Sequence, residues 1–162
     1  MSDYSEEHNV GFVEAIHTAP ATGGDPEPRE TVEAVAGRGL EGDRYFKGEG
    51  LYNEEPNLEP SDVTLIESEA LVAAREDYGI DLGPGEHRRN VTTRGVPLNH
   101  LVGTQFLIGE VLLEGIELCE PCGYMESIAG CEGAVDALRH RGGLDASIIE
   151  SGTIVVGEKI RW

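Results

Sequence analysis

Residues 105–118 read QFLIGEVLLEGIEL, two apolar runs on either side of the pair Gly109-Glu110. Runs of branched and aromatic residues joined by a glycine-containing pair are typical of a β-hairpin, so strands are predicted over Gln105–Ile108 and Val111–Leu118. Outward from this hairpin, short apolar runs between turn residues predict further strands. They lie at 9–18, 31–36, 62–66, 90–93, 146–150 and 153–156, with Ser151-Gly152 as a second hairpin turn between the last two.

Helical periodicity is confined to two segments. Apolar residues recur at helical spacing over 67–78, which predicts a helix there. A second, short helix is predicted around Val135 and Leu138, ended by the pair Gly142-Gly143. Many short strands with glycine turns and only two helices predict a mainly β fold, a closed, mostly antiparallel β-barrel with a few short helices. Two segments rich in glycine and proline are predicted as loops, 19–30 and 47–62.

The chain is strongly acidic. Its 162 residues include 31 Asp and Glu against 12 Lys and Arg, which gives a formal net charge of -19. This balance excludes a general binder of nucleic acid or of anionic membranes, because both functions need a basic surface. The acids are spread along the whole chain, and Lys47 and Lys159 are its only lysines. This composition is typical of a halophilic surface adapted to high salt; the alternative is simply an acidic protein.

Length and hydropathy predict one domain outside the membrane. At 17.4 kDa the chain fits a single domain with a core of ordinary size. Its polar, acidic start at 1–8 does not resemble a signal peptide, and no apolar stretch approaches the ~20 residues of a membrane helix. We therefore expect a cytoplasmic protein.

Three cysteines, Cys119, Cys122 and Cys131, lie close together in the sequence. An odd number of thiols in a reducing compartment argues against a disulfide framework. Closely spaced thiols serve zinc binding, redox exchange or sulfur transfer, since each needs an accessible soft nucleophile. A zinc site of three cysteines and His140 would have an unusual spacing. The remaining interpretation, free cysteines in the core, fits Cys122 least, because proline and glycine flank it.

Most basic residues lie beside glycine-rich or turn-like segments. The planar fork of arginine suits phosphate or another planar anion, although pairing with the abundant acids is the alternative for each one. His17 is predicted as a structural histidine. His87 and His140, which neighbour arginines, and His100, which lies in a turn, are candidates for anion binding or proton relay. The basic residues concerned are Arg44, Lys47, Arg88, Arg89, Arg94, Arg139 and Arg141.

Six sequence motifs, in this order along the chain, resemble those of the MOSC domain found at the C-terminus of molybdenum cofactor sulfurases. The resemblance covers residues 9–161 and implies a stand-alone MOSC domain after a polar, acidic extension at 1–8. It also implies a closed β-barrel of the MOSC or pyruvate-kinase-like type. The motifs are GLEGDR at 39–44, DVTLI at 62–66, RRNVTTRG at 88–95, LVGTQFLIG at 101–109, EPC at 120–122, and RGG at 141–143 followed by GTIVVG at 152–157.

The same resemblance implies a ligand and a reactive residue. The ligand is the molybdenum cofactor (molybdopterin), an anionic pterin phosphate that holds its metal through a dithiolene. The family cysteine falls on Cys122, which in relatives is thought either to carry sulfur as a persulfide or to ligate molybdenum. Tyr45 stands where many relatives have histidine, which argues against a proton-transfer role there. The implied cofactor-binding residues are Arg44, Arg89, Asn90, Thr92, Arg94, Arg141 and Gly142.

Three functions remain open on these observations. The first is sulfur transfer through Cys122 in metal–sulfur cofactor metabolism, with a cysteine desulfurase as partner. The second is molybdenum-dependent reduction of N-hydroxylated compounds, with an electron-transfer protein as partner. The third is a non-enzymatic small barrel that binds zinc or another protein. No lysine lies in a recognisable Schiff-base context, so pyridoxal phosphate is expected on a partner and not on this chain. The expected ligand is the cofactor or another anionic small molecule.

Overall fold

The computed structural model describes residues 9–20, 24–44, 46, 62–120 and 132–162. Their helices are α1 (Ser68–Tyr78) and α2 (Ala134–Ala137), with a 3-10 helix at Leu98–Leu101. The strands in chain order are β1 (Val10–Thr18), β2 (Glu27–Arg29), β3 (Thr31–Val35), β4 (Gly39–Leu40), β5 (Val63–Glu67), β6 (Val91–Arg94), β7 (Gln105–Ile108), β8 (Val111–Leu118), β9 (Leu144–Glu150), β10 (Gly152–Val155) and β11 (Lys159–Arg161).

Seven of the strands close into a barrel. Their order is β1-β6-β5-β9-β8-β7-β11, and β11 pairs back with β1. Every neighbouring pair is antiparallel except β5 and β6, which run parallel. The predicted mainly β fold with a closed, mostly antiparallel barrel is therefore confirmed. Strand β2 extends this sheet beside β1, while β3, β4 and β10 form a separate three-stranded sheet.

Two apolar clusters stabilise the described part of the chain. The larger one fills the barrel, where side chains such as Leu113 and its cross-strand partner Ile148 point inward. The smaller one packs α1 and α2 against the outer face of β5. Because Leu65 belongs to the first cluster and Ile66 to the second, β5 is covered on both faces, which explains why four consecutive residues, 63–66, are buried. The smaller cluster contains Ile66, Ala74, Ala134, Ala137 and Leu138.

Four strands, β2, β4, β10 and β11, differ from the sequence-based expectation. The predicted Ser151-Gly152 hairpin is wrong, because β9 stays in the barrel while β10 pairs with β3 in the other sheet. A local turn pattern cannot report this change of sheet, since the facing residues Thr153 and Glu33 are 120 positions apart. The predicted loop 19–30 contains β2, and β11 has no sequence signal of its own. Both strands have three residues, too few to show an alternating pattern.

The helices agree with the prediction in place and differ in how the second one ends. Helix α1 confirms the helix expected at 67–78 and is capped by Gly79 in the left-handed conformation, with φ 69°. Helix α2 ends after Ala137, so the pair Gly142-Gly143 does not cap it and instead precedes β9. None of the helices in the described ranges is long and apolar enough to cross a membrane. Of the predicted loop 47–62, only Asp62 lies within the described residues.

We expect low ionic strength to destabilise this fold. With 31 acidic and 12 basic residues, the compact state concentrates negative charge. Salt shortens the range of the repulsion between these charges, from ~10 Å at 0.1 M to ~3 Å at 1 M. The melting temperature should therefore rise by roughly 5 °C or more between about 0.1 M and 1 M NaCl. Sucrose at matched osmolarity serves as the uncharged control. A melting temperature that is constant or falls as NaCl is added would contradict this expectation.

Candidate functional site

Asn90 anchors the start of β6. Its Oδ1 accepts hydrogen bonds from the backbone N–H (3.0 Å) and the hydroxyl (3.1 Å) of Thr64 on β5. Its Nδ2 donates to the carbonyl of His17 on β1 at 3.2 Å. The side chain is 2% exposed, so it ties three barrel strands together from a buried position. Asn90, implied as a cofactor ligand by the sequence motif, thus has its amide oxygen engaged within the fold.

Arg89 is a buried arginine whose guanidinium binds main-chain carbonyls. Its Nε donates to the carbonyl of Gly142 at 2.8 Å, and its Nη2 donates to those of Cys119 and Glu120 at 3.3 and 3.4 Å. Among the described residues, no carboxylate pairs with Arg89 and its Nη1 has no hydrogen-bond partner. A buried charge normally has a counter-charge, so the described surroundings of this cation are incomplete.

The segment 119–120 is held from both sides. The N–H of Cys119 donates to the carbonyl of Gly143 at 2.8 Å, and Glu120 Oε2 accepts from the N–H of His140 at 3.4 Å. His140 itself has the left-handed φ of 66°, uncommon for a residue with a side chain, and its carbonyl accepts from Asn99 Nδ2 at 2.8 Å. Two fixed residues therefore precede the segment that contains the family cysteine.

Two buried histidines lie beside Arg89. The Arg89 N–H donates to His87 Nδ1 at 3.0 Å, which places the His87 proton on Nε2, facing Thr92 Oγ1 at 3.4 Å. The rings of His17 and His87 meet edge to face with centroids 5.9 Å apart. Burial, and then the neighbouring His17 and Arg89, lower the pKa of His87 from 6.5 to about 3. Burial also lowers the pKa of His17, so both imidazoles are neutral at physiological pH.

Two further arginines contact the chain just after β1. Arg88 has a left-handed φ of 65° and its Nη1 donates to the carbonyl of Gly24 at 2.6 Å. The Arg44 N–H donates to the carbonyl of Ala19 at 2.8 Å, and its guanidinium lies 3.6 Å from the Asp43 carboxylate. We call the resulting group the β1–β6 corner, which consists of His17, Arg44, His87, Arg88 and Arg89.

Two predicted cofactor-binding arginines lie outside this corner. Arg94 is exposed at the end of β6 and pairs with Glu14. Arg141 donates to the carbonyl of Ala137 at 2.8 Å and lies 3.4 Å from Asp77. It borders a cleft of about 490 Å³. The structure therefore joins Arg89 to Gly142 but brings neither Arg94 nor Arg141 into the β1–β6 corner. The cleft is lined by Asp77, Tyr78, Asp136, Arg139, His140 and Arg141.

The cysteine cluster is described only in part. Cys119 is half-buried at the end of β8, whereas Cys122, Cys131 and Tyr45 lie outside the described residues. Within the ranges that the structure covers, no group of three or more His, Cys, Asp and Glu side chains could hold a metal ion. Because two of the four ligands of the alternative zinc site, Cys122 and Cys131, lie outside the described residues, that alternative stays an expectation.

Two residues have features that the sequence does not indicate. His17, predicted as a structural histidine, is buried in β1, and its Nδ1 has no hydrogen-bond partner among the described residues. Gly143 was predicted to end a helix, yet a Cβ there would lie 2.0 Å from the carbonyl oxygen of Leu65 and 3.6 Å from Arg89 Nε. Neither role has a local signal, because each depends on strands that are distant in the chain.

The barrel is similar to solved structures with little sequence identity. The YuaD protein from Bacillus subtilis superposes with a TM-score of 0.74 at 18% identity, over 93% of this chain and 94% of that one. YiiM from Geobacillus stearothermophilus gives 0.70 at 16% identity, over 93% of this chain and 74% of that one. YiiM from Escherichia coli gives 0.66 at 15% identity, with coverage of 93% and 68%. At such identities the likeness shows the fold alone.

Sequence comparison is more specific. No curated protein matches the chain significantly. The family model for the MOSC domain matches residues 56–161, which is more than half of the sequence and includes Arg89, segment 119–120 and Gly143. The chain therefore belongs to the MOSC domain family.

Proposed function

We propose that this chain binds the molybdenum cofactor and uses Cys122 to carry sulfur. The MOSC family is commonly associated with that cofactor. The observation that supports the proposal most is the buried Arg89, which has no carboxylate partner among the described residues. In a chain with 31 acidic residues, the simplest explanation for an arginine buried without a carboxylate is an anionic ligand.

The donors of the β1–β6 corner suit an anionic group such as a pterin phosphate. Arg89 Nη1 offers two N–H groups, and Arg44 adds a second, largely buried guanidinium. His17 Nδ1 is a buried ring nitrogen that has no partner within the described ranges. When bound, the cofactor would supply a molybdenum centre with sulfur ligands. The chain's own residues would bind its anionic end, exclude water from it and keep neutral imidazoles beside it.

Sulfur chemistry is assigned to Cys122 on the MOSC motif EPC, since this residue lies outside the described ones. A guanidinium attached to the carbonyl of Glu120, two positions earlier, would favour the reactive thiolate by its charge. The Cys122 thiolate would attack the outer sulfur of a donor persulfide. The S–S bond of the donor breaks and its thiolate leaves, so the transfer needs no external oxidant or reductant.

The test compares two serine variants of cysteines three positions apart. Purified chain is incubated with a persulfide donor and then with a thiol acceptor, and sulfane sulfur is measured by peptide mass spectrometry and by cyanolysis. We expect the sulfur on Cys122 in the unmodified protein, none transferred by Cys122→Ser, and near-normal transfer by the control Cys119→Ser. Equal loss in both variants, or sulfur on Cys119 alone, would contradict the assignment.

Molybdenum and pterin content, measured on the same samples, separates the alternatives. Stoichiometric molybdenum that is lost in Cys122→Ser, without transferable sulfur, would support the molybdenum-dependent reductase of N-hydroxylated compounds. Stoichiometric zinc, with all three thiols protected from alkylation, would support a non-enzymatic module. Cofactor bound with sulfane sulfur on Cys122 supports the proposed function.

A further inference from the structure

We infer that the cleft beside Arg141 is a second ligand site, which takes a zwitterionic amino acid with a flat side chain. The cleft has a volume of about 490 Å³ and lies where α1 and α2 end. Ligand sites in proteins typically enclose roughly 300–1,000 Å³, so a molecule of this size fits. None of the lining residues belongs to the β1–β6 corner, so a ligand here would be independent of the molybdenum cofactor.

Two pairs of opposite charge line this cleft. Arg139 Nη2 lies 2.8 Å from Asp136 Oδ1, and Arg141 Nη1 lies 3.4 Å from Asp77 Oδ2. The two arginines and two aspartates cancel, although the whole chain has a formal net charge of -19. A ligand with one positive and one negative group complements such a lining. A simple anion would also meet both aspartates, and a simple cation would also meet both arginines.

These ion pairs are able to exchange partners with a ligand. The side chains of Asp77, Asp136 and Arg139 are exposed to solvent. Exposed ion pairs contribute little to stability, because water screens them and long side chains lose freedom in them. Opening both pairs therefore costs little, and a zwitterion restores two opposite-charge contacts in their place.

Arg141 is already positioned to bind the carboxylate of the ligand. Its Nε donates to the carbonyl of Ala137, the last residue of α2, at 2.8 Å. Its Cζ lies 5.9 Å from the centroid of the Tyr78 ring. Within the described part of the chain, Arg141 Nη2 has no hydrogen-bond partner. A guanidinium held at Nε and Nη1 presents Nη2 to a carboxylate with little further loss of side-chain freedom.

The end of α1 favours the ammonium group of the ligand. Asp77 and Tyr78 are the last two residues of this helix, where the helix dipole presents its negative end. The Asp77 carboxylate adds a full negative charge at the same place. Tyr78 is 55% exposed, so its ring offers a surface on which a flat side chain can pack.

The backbone at His140 directs the neighbouring arginines to one side. Side chains alternate along an extended strand, yet three consecutive residues, 139–141, line the same cleft. His140 makes this possible with its left-handed φ of 66°. Its N–H donates to Glu120 and its carbonyl accepts from Asn99. Because both backbone groups are bonded within the protein, the turn is formed before any ligand binds.

Four probes, titrated into the full chain, separate the contributions of charge and ring. L-Phenylalanine has an ammonium, a carboxylate and a ring, whereas 3-phenylpropionate lacks the ammonium, phenethylamine lacks the carboxylate and L-alanine lacks the ring. Chemical shifts of the backbone amides at 77–79 and 139–142 report binding at one fixed NaCl concentration. We expect a Kd below about 10 mM for L-phenylalanine and values at least about fivefold higher for the other three probes.

Two charge variants test which group each side of the cleft binds. Asp77→Asn should weaken L-phenylalanine binding at least about threefold and should not weaken 3-phenylpropionate. Arg139→Gln should weaken L-phenylalanine similarly and should not weaken phenethylamine. Glu76→Gln and Arg75→Gln are the matched controls, because they remove exposed charges of the same signs that do not line the cleft. Both controls should bind L-phenylalanine within about twofold of the unmodified protein.

Four results would overturn the inference. Equal affinity for 3-phenylpropionate and L-phenylalanine would show a simple anion site. Equal affinity for phenethylamine would show that the acidic surface attracts any amine. L-Alanine binding as tightly as L-phenylalanine would show that Tyr78 does not receive a side chain. Absence of shifts at these amides up to about 10 mM L-phenylalanine would show that the cleft does not bind an amino acid.

Discussion

Gly143→Ala is expected to destabilise the protein by at least about 3 kcal/mol, and a chain that no longer folds is within this expectation. The φ of Gly143 is 119°, a backbone conformation that residues with a side chain rarely adopt. The added Cβ would lie 2.0 Å from the carbonyl oxygen of Leu65, and a backbone atom in the barrel wall cannot move aside as a flexible side chain would. Urea unfolding followed by circular dichroism measures the change.

Gly37→Ala is the matched control for this prediction. Gly37 also has a positive φ, 71°, but its added Cβ would meet no atom within 4 Å. The Gly37→Ala variant should therefore be destabilised only by the cost of holding alanine at a positive φ, about 1 kcal/mol. If the two variants proved equally stable, the close approach of Gly143 to Leu65 would not be a feature of the folded protein in solution.

Lowering the pH from 6.5 to 4 is expected to remove about 3 kcal/mol of stability through His87 alone. Burial, with His17 and Arg89 nearby, lowers the pKa of His87 from 6.5 to about 3 in the folded state. Between these two values the unfolded chain binds a proton that the folded chain does not. The contribution of His87 is therefore complete above pH 6.5 and is progressively lost as the pH falls towards 3.

His87→Asn isolates this effect, because Asn keeps an acceptor for the Arg89 N–H and does not titrate. Urea unfolding at pH 7 and pH 4 should show a free energy of unfolding that falls by about 3 kcal/mol less in the variant than in the unmodified protein. His140→Asn is the control, since it removes an exposed histidine and Asn tolerates the left-handed φ of 66°. Equal pH dependence of the unmodified protein and His87→Asn would mean that His87 is solvated in the folded state.

Local sequence patterns were sufficient to predict the strands and helices whose signals lie within a few neighbouring residues. The hairpin of β7 and β8 and helix α1 follow from apolar spacing and glycine turns, and the structure has them at the predicted positions. Strands β2 and β11 have three residues each, too few to show an alternating apolar pattern. Their formation depends on pairing with strands elsewhere in the chain. Closure of the barrel rests on β11, which pairs with both β1 and β7.

The candidate site, too, could be predicted from the sequence only in part. Its arginines could be selected from the sequence because they match MOSC motifs in a chain that otherwise has little positive charge. The sequence could not show that these arginines have different surroundings. Arg89 is buried among carbonyls, Arg94 pairs with Glu14, and Arg141 lies beside Asp77. Residue type and spacing do not report which carbonyl or carboxylate a long side chain reaches across the barrel.

By itself, then, the sequence of this protein determined its β-rich class, its MOSC motifs and an acidic surface with a few retained arginines. Tertiary structure alone decided which arginine is buried, that its fork joins residue 142 to segment 119–120, and that Gly143 must lack a side chain. The physical reason is that propensity and periodicity act over neighbouring residues. Burial, close backbone approach and shared carbonyl acceptors arise only when strands far apart in the chain are brought side by side.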